Sequence, residues 1–116
     1  MNKRFEELMA KDNTRKDDNE RKALFYIIAG NDELYSKVQH IYDFEQHMIK
    51  HDLLNVNEDS PAYITEPSST ARKLLELGFN LFNPRNKADV CDTFLTFGDE
   101  NFLLAMNAIR MRFDRL

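Results

Sequence analysis

Leu24-Phe25-Tyr26-Ile27-Ile28 lies inside the longest uninterrupted apolar run of the chain, Ala23 to Ala29, between Lys22 and Gly30-Asn31-Asp32. Wound into a helix, such a run is apolar around most of its circumference. A helix of that kind has to be covered by neighbours on several sides. Gly30 reads as a left-handed stop, and Asn31 or Asp32 as the cap of the next element. One central helix in a chain of 116 residues predicts covering helices before and after it.

Upstream, Phe5, Leu8 and Met9 form a short i, i+3, i+4 stripe that suits a small leading helix. Beyond Lys11 everything to Lys22 is polar, which places a hinge there. Thr14 with Asp17 fits a capping pattern, and Asp17–Arg21 and Asp18–Lys22 are favourable i, i+4 pairs. Downstream, a third helix begins near Asp32 with Leu34, Val38 and Ile41 on one side. Glu45 interrupts that stripe and leaves open whether the helix continues to His51. Residues 55–67, with Pro61 and Pro67, have the composition of an irregular connection, with Tyr63-Ile64-Thr65 its one extended piece.

Ser68 or Ser69 caps a fourth helix bearing Ala71, Leu74, Leu75, Gly78, Leu81 and Phe82, and Pro84 stops it. Gly78 costs about 1 kcal/mol relative to Ala at mid-helix, so it marks close packing. Asn86 opens a fifth helix whose Val90, Phe94 and Phe97 face the core, ended by Gly98. Asp99 caps the last, where Phe102, Met106, Ile109 and Phe113 recur at i, i+4, i+7 and i+11 and Leu103, Leu104, Ala108 and Met111 widen the apolar arc. The expectation is an all-α fold: a compact bundle of five or six helices with one irregular loop at about 55–67. It forms a single domain over 1–116, with a polar leading helix and hinge at 1–22 and a core at 23–116.

Composition agrees. Hydrophobic residues make up 42% and aromatic residues 11%, with three Gly and three Pro. The surface scaling predicts that about two-thirds of the extended chain's surface is lost on folding, enough for one core without disulfides or a structural metal. Collagen-like, disulfide-scaffold and membrane classes are excluded. Cys91 is the only cysteine, and the N-terminal residues lack the apolar stretch of a signal peptide, so the expected setting is cytoplasmic. The net charge of −4 is local: residues 23–67 hold Lys37 and Lys50 against eight carboxylates, while both ends are near balance. No concentrated basic face is visible, and Arg110 and Arg112 point to different sides of a helix, which argues against nucleic acid.

The constellation with metal-ligand character is His40, Asp43, His47 and His51. On an unbroken helix all four would line one face, with His47 and His51 at the i, i+4 spacing that lets two imidazoles share a Zn²⁺ and Asp43 a third ligand. Four residues over three turns cannot all reach one ion, and Met48 stands where a zincin motif has Glu. The alternative is a solvated face on which histidines align. Cys91, beside Asp89 and Asp92, lacks the electropositive surroundings of a reactive thiolate and reads as a small buried hydrophobe. Asp89, Asp92, Asp99 and Glu100 sit in first helical turns, where the dipole favours acids. Asn80, Asn83, Asn101 and Asn107, with Arg110, would either line a groove or cement two helices. No phosphate loop, nucleophile elbow or His-Glu-x-x-His occurs, so no catalytic residue and no cofactor is assigned.

Four groups of strings carry a resemblance: Leu24-Phe25-Tyr26-Ile27-Ile28-Ala29-Gly30-Asn31; Ile41-Tyr42-Asp43-Phe44; Leu77-Gly78-Phe79-Asn80-Leu81-Phe82-Asn83; and Glu100-Asn101-Phe102 with Asn107-Ala108-Ile109-Arg110 and Arg112-Phe113. Over about residues 20–113 the chain resembles an uncharacterised family of small proteins of bacteria and their phages or mobile elements, catalogued as a domain of unknown function. The resemblance implies a small helical accessory protein and assigns no activity, cofactor, partner or functional residue. The expected function is non-enzymatic: an interaction module that binds another protein, a basic one by charge complementarity, through the acidic middle with Glu58 and Asp59 at the contact. A homodimer is compatible with the Met and aromatic content. Metal binding through His47 and His51 is the alternative, and nucleic-acid association the third reading.

Overall fold

The computed structural model describes residues 2–115. Six α-helices dominate it: α1 (Lys3–Asp12), α2 (Asn19–Ala29), α3 (Asp32–Ser36), α4 (Ser69–Phe82), α5 (Val90–Leu95) and α6 (Asp99–Arg112). A 3₁₀ turn at Val38–His40 leads into a two-stranded antiparallel hairpin, β1 (Tyr42–Asp43) and β2 (Met48–Ile49), with Tyr42 opposite Ile49 and Asp43 opposite Met48. The all-helical expectation holds for the body of the fold, and the hairpin is its one departure. The connection at 55–67 carries neither helix nor strand.

α2 is the centre, as its apolar run requires. Leu24, Phe25, Ile27 and Ile28 are fully buried, and each such side chain contributes roughly 1.5–3 kcal/mol relative to exposure. α1, α4 and α6 pack around it. The starts of these helices are set locally. Side chains of Asn2, Asp18, Asn31, Ser68 and Asp89 each accept a hydrogen bond from the backbone N–H three residues on, satisfying donors that a helix start leaves free. Gly98 caps α6 without such a bond, and Asp99 and Glu100 occupy its first turn.

Gly78 behaves as expected: a Cβ there would lie 3.1 Å from Leu24 Cδ1, so α4 and α2 meet at this point. Gly30 differs from expectation. Its backbone is right-handed, at φ −88° and ψ −1°. What it supplies is space, because a Cβ would stand 2.3 Å from Leu104 Cδ1 on α6.

Three further expectations are corrected. The third helix ends at Ser36, so Val38 and Ile41 of its expected stripe lie beyond it, and the continuation that Glu45 left open is decided against helix, the segment turning back as the hairpin. Asp43 Oδ1 accepts from the backbone N–H groups of Glu45 (2.9 Å) and Gln46 (3.0 Å), a local turn that competes with helix. His47 takes the left-handed conformation at φ 56°, and Tyr42 is drawn into the core. The fifth helix starts at Val90 rather than near Asn86, and its Val90 and Cys91 face solvent. Thr93 is its buried residue. In α6 the buried side is Leu104, Ala105 and Ala108, while Phe102, Met106 and Phe113 are exposed. Among the described residues no helix is long and apolar enough to cross a membrane.

Candidate functional site

Two features of the surface call for a physical account: a buried carboxylate under the hairpin and an uncovered apolar face on α5 and α6.

Asp12 ends α1 with its side chain only 2% exposed. Thr14 Oγ1 donates to Asp12 Oδ2 at 2.6 Å, Tyr42 Oη to Oδ1 at 2.8 Å, and His47 Nδ1 lies 2.7 Å from Oδ1. Tyr42 Oη in turn accepts from Arg21 Nε at 2.9 Å. The remaining Arg21 nitrogens reach Asp18 Oδ2 (3.0 Å) and the His47 carbonyl (2.7 Å). Burial pushes the Asp12 carboxyl up, but the bonds from Thr14, His47 and Tyr42 outweigh it and hold it below the usual carboxylate range. Burial is also the main cause that raises the Tyr42 phenol, to about 12, with Arg21 opposing and Asp12 adding. The cluster joins α1, α2 and the hairpin through a chain of satisfied groups. Its chemistry is that of a structural pin.

The histidines do not share a face. His47 serves this pin, with 51% of its side chain exposed. His40 Nδ1 lies 3.7 Å from Asp52 Oδ2, and its ring packs on Tyr63. His51 Nε2 approaches Asn86 Oδ1 at 3.4 Å and packs on Phe79. Asp43 caps its own turn. Among the described residues no three His, Cys, Asp or Glu side chains converge as metal ligands. Glu58 and Asp59 are exposed in a tight turn held by Asn57 and Ser60.

The asparagines divide. Asn80 Nδ2 donates to the Asn86 carbonyl at 2.7 Å and Asn86 Nδ2 to the Phe79 carbonyl at 3.2 Å, so this pair cements the α4–α5 connection. Asn101 and Asn107 line an open polar cleft of about 700 Å³ beside the start of α3. Its acidic groups are already engaged in part, Asp32 with Arg4 and Glu33 with Lys37 and the Ser68 N–H.

The apolar face is different in kind. Eight large hydrophobic residues are exposed among the described residues, and six of them are Val90, Leu95, Phe102, Leu103, Met106 and Phe113. Between α4, α5 and α6 runs a groove of about 510 Å³. Leu77, Leu81, Val90, Phe94, Phe102, Met106, Ile109 and Phe113 line it, with Asn80 the one polar side chain. Phe94 stands edge-on to Phe97 and Phe102, at ring separations of 5.3 and 5.6 Å, which stiffens one wall. Sequence reasoning read this stripe as α6's apolar side without finding that it faces out. The signal was present in the width of the α6 arc, since a helix apolar on nearly every side has two surfaces to cover. The Asp12 cluster left no local signal, because its members are separated by up to 35 residues.

These features define a small, predominantly helical protein with a pinned hairpin on one side and a bare apolar face on another. A family model described as a family of unknown function (DUF6075) matches residues 1–116, and the chain belongs to that family. No curated protein and no solved structure matches it.

Proposed function

We propose that this protein is a non-enzymatic interaction module and that it binds a polypeptide through the α5–α6 face. The observation that carries the reading is the concentration of exposed apolar side chains on that one stretch. Scattered single hydrophobics are ordinary on a protein surface; a contiguous set lining a groove between three helices marks a contact site. The acidic loop at Glu58 and Asp59 is flanked by polar side chains, and exposed charges of this kind steer an encounter more than they hold it.

Two variants separate these surfaces in a pull-down at moderate salt with the tagged chain. Phe102→Ser with Met106→Ser is expected to abolish capture of species retained by the native protein, while charge reversal at Glu58 and Asp59 slows or weakens capture without abolishing it. Retention of the same species by the α6 variant overturns the reading. Loss only on reversal of Glu58 and Asp59 moves the contact to the loop.

A further inference from the structure

We infer that the occupant of the α5–α6 face is a second copy of this chain, docked with the two α6 helices antiparallel. The inference rests on the face being a polypeptide contact, as proposed above, and it names the partner.

Two observations point to self-association. The first is charge order. At 100° per residue, Asp99, Leu103, Met106 and Arg110 lie on one outward side of α6, with Phe102 and Phe113 at its margin. The side therefore begins in an acid, runs through apolar residues and ends in a base. Among the described residues neither Asp99 nor Arg110 enters an ion pair. Turned end for end, the pattern is its own complement. Placing Asp99 of one copy opposite Arg110 of the other sets Leu103 against Met106 twice, by symmetry. It also carries Phe113 toward the other copy's α5–α6 corner, where Leu95 is bare.

The second is area. The six exposed apolar residues are between 36% and 84% exposed. With about 200 Å² for a large, fully exposed side chain, the four that line the groove offer roughly 400 Å² per copy, and Leu95 and Leu103 beside it extend this to at most roughly 700 Å², against about 800 Å² per partner in a standard interface. A two-fold contact of this type is isologous and closes on itself, which covers both apolar faces and leaves none to extend a fibre.

Sedimentation equilibrium of the full chain, alone, tests the inference. The native protein is expected to shift from 13.7 kDa toward twice that mass as concentration rises through the micromolar range, more weakly in high salt. Asp99→Lys and Arg110→Glu, each with unchanged circular dichroism, are each expected to raise the dissociation constant about ten-fold or more. An equimolar mixture of the two variants is expected to dimerise like the native protein, because both inter-copy pairs become opposite in charge again. Met106→Asp, at the middle of the face, is expected to give a monomer. A native chain that stays monomeric to about 1 mM, a dimer indifferent to Met106→Asp, or single variants that are not rescued by mixing overturns the inference. A monomer whose pull-down still depends on Phe102 and Met106 overturns the dimer alone. Face variants that change neither measurement overturn the proposed function as well.

Discussion

At Asp12, desolvation and hydrogen bonding oppose each other, and bonding wins. A buried carboxylate would ordinarily be neutral, but donors from Thr14, Tyr42 and His47 surround it and keep it ionised. Its folded-state pKa lies below the ordinary value of 3.8, so the stability it contributes is whole above that pH and is lost as pH falls through the depressed value. Tyr42 has the opposite sign. Its phenol is raised from 10 to about 12, so the folded state keeps a proton that the unfolded chain releases. Stability is whole below pH 10 and falls between 10 and 12, by roughly 2–3 kcal/mol. Tyr42→Phe deletes the donor to Asp12 and the acceptor for Arg21. It is expected to cost about 1–3 kcal/mol near neutral pH and to flatten the alkaline arm of the stability curve. Urea melts of both proteins from pH 7 to 11.5 check both effects, and an unchanged alkaline arm would remove Tyr42 from the account.

Among elements, the α2–α6 contact is the one most sensitive to a single atom. Gly30 follows the last turn of α2, and Leu104 fills the space where its Cβ would stand. Leu104 borders the same open cleft as Gly30, so the far end of its side chain can shift aside. Gly30→Ala is therefore expected to cost no more than about 1 kcal/mol, the displacement of Leu104 being its only source. In a Leu104→Ala background the same change should be neutral or stabilising, because the methyl group enters the vacated volume. A double-mutant cycle measured by thermal melts gives the coupling directly, and additive costs would show that the two residues do not collide. The hairpin is held differently. Its strands are two residues each, and tertiary bonds to Asp12 and Arg21 supply what so short a ladder lacks.

For the whole molecule the telling contrast is between the two sides of α6. Phe102 and Met106 are large and exposed; Ala105 and Ala108 are small and fully buried. Phe102→Ser with Met106→Ser removes two half-exposed side chains and the edge-on contact of Phe102 with Phe94, and is expected to lower the unfolding free energy of the monomer by about 1–2 kcal/mol. Ala108→Leu, which is conservative by hydrophobicity, is expected to cost 1–3 kcal/mol or more by driving α6 off its neighbours. Denaturant melts at low protein concentration rank the two variants. The reverse order would mean that α6 packs through its large residues after all. Cys91 is exposed on α5, about 100° around the helix from Val90, and its accessibility makes thiol labelling a probe of whether that side of α5 is covered in solution.

The sequence by itself determined the central helix, the caps at Asn31 and Ser68, the stop after α4, the irregular 55–67 connection and the membership of the chain in its family. Each of these depends on residues a few positions apart, and spacing of three or four expresses such neighbourhoods directly. Only the tertiary structure decided the fate of 41–51 and the facing of α6. The hairpin forms because Tyr42 and His47 meet an Asp12 some thirty residues earlier, a bond that no local pattern announces. α6 is apolar on both sides, so periodicity could not choose between them. The small side of Ala105 and Ala108 chose, because it lets α6 lie close to its neighbours while Leu104 fills the space that Gly30 leaves. That choice turned the larger residues outward, and with them the surface on which the proposed function rests.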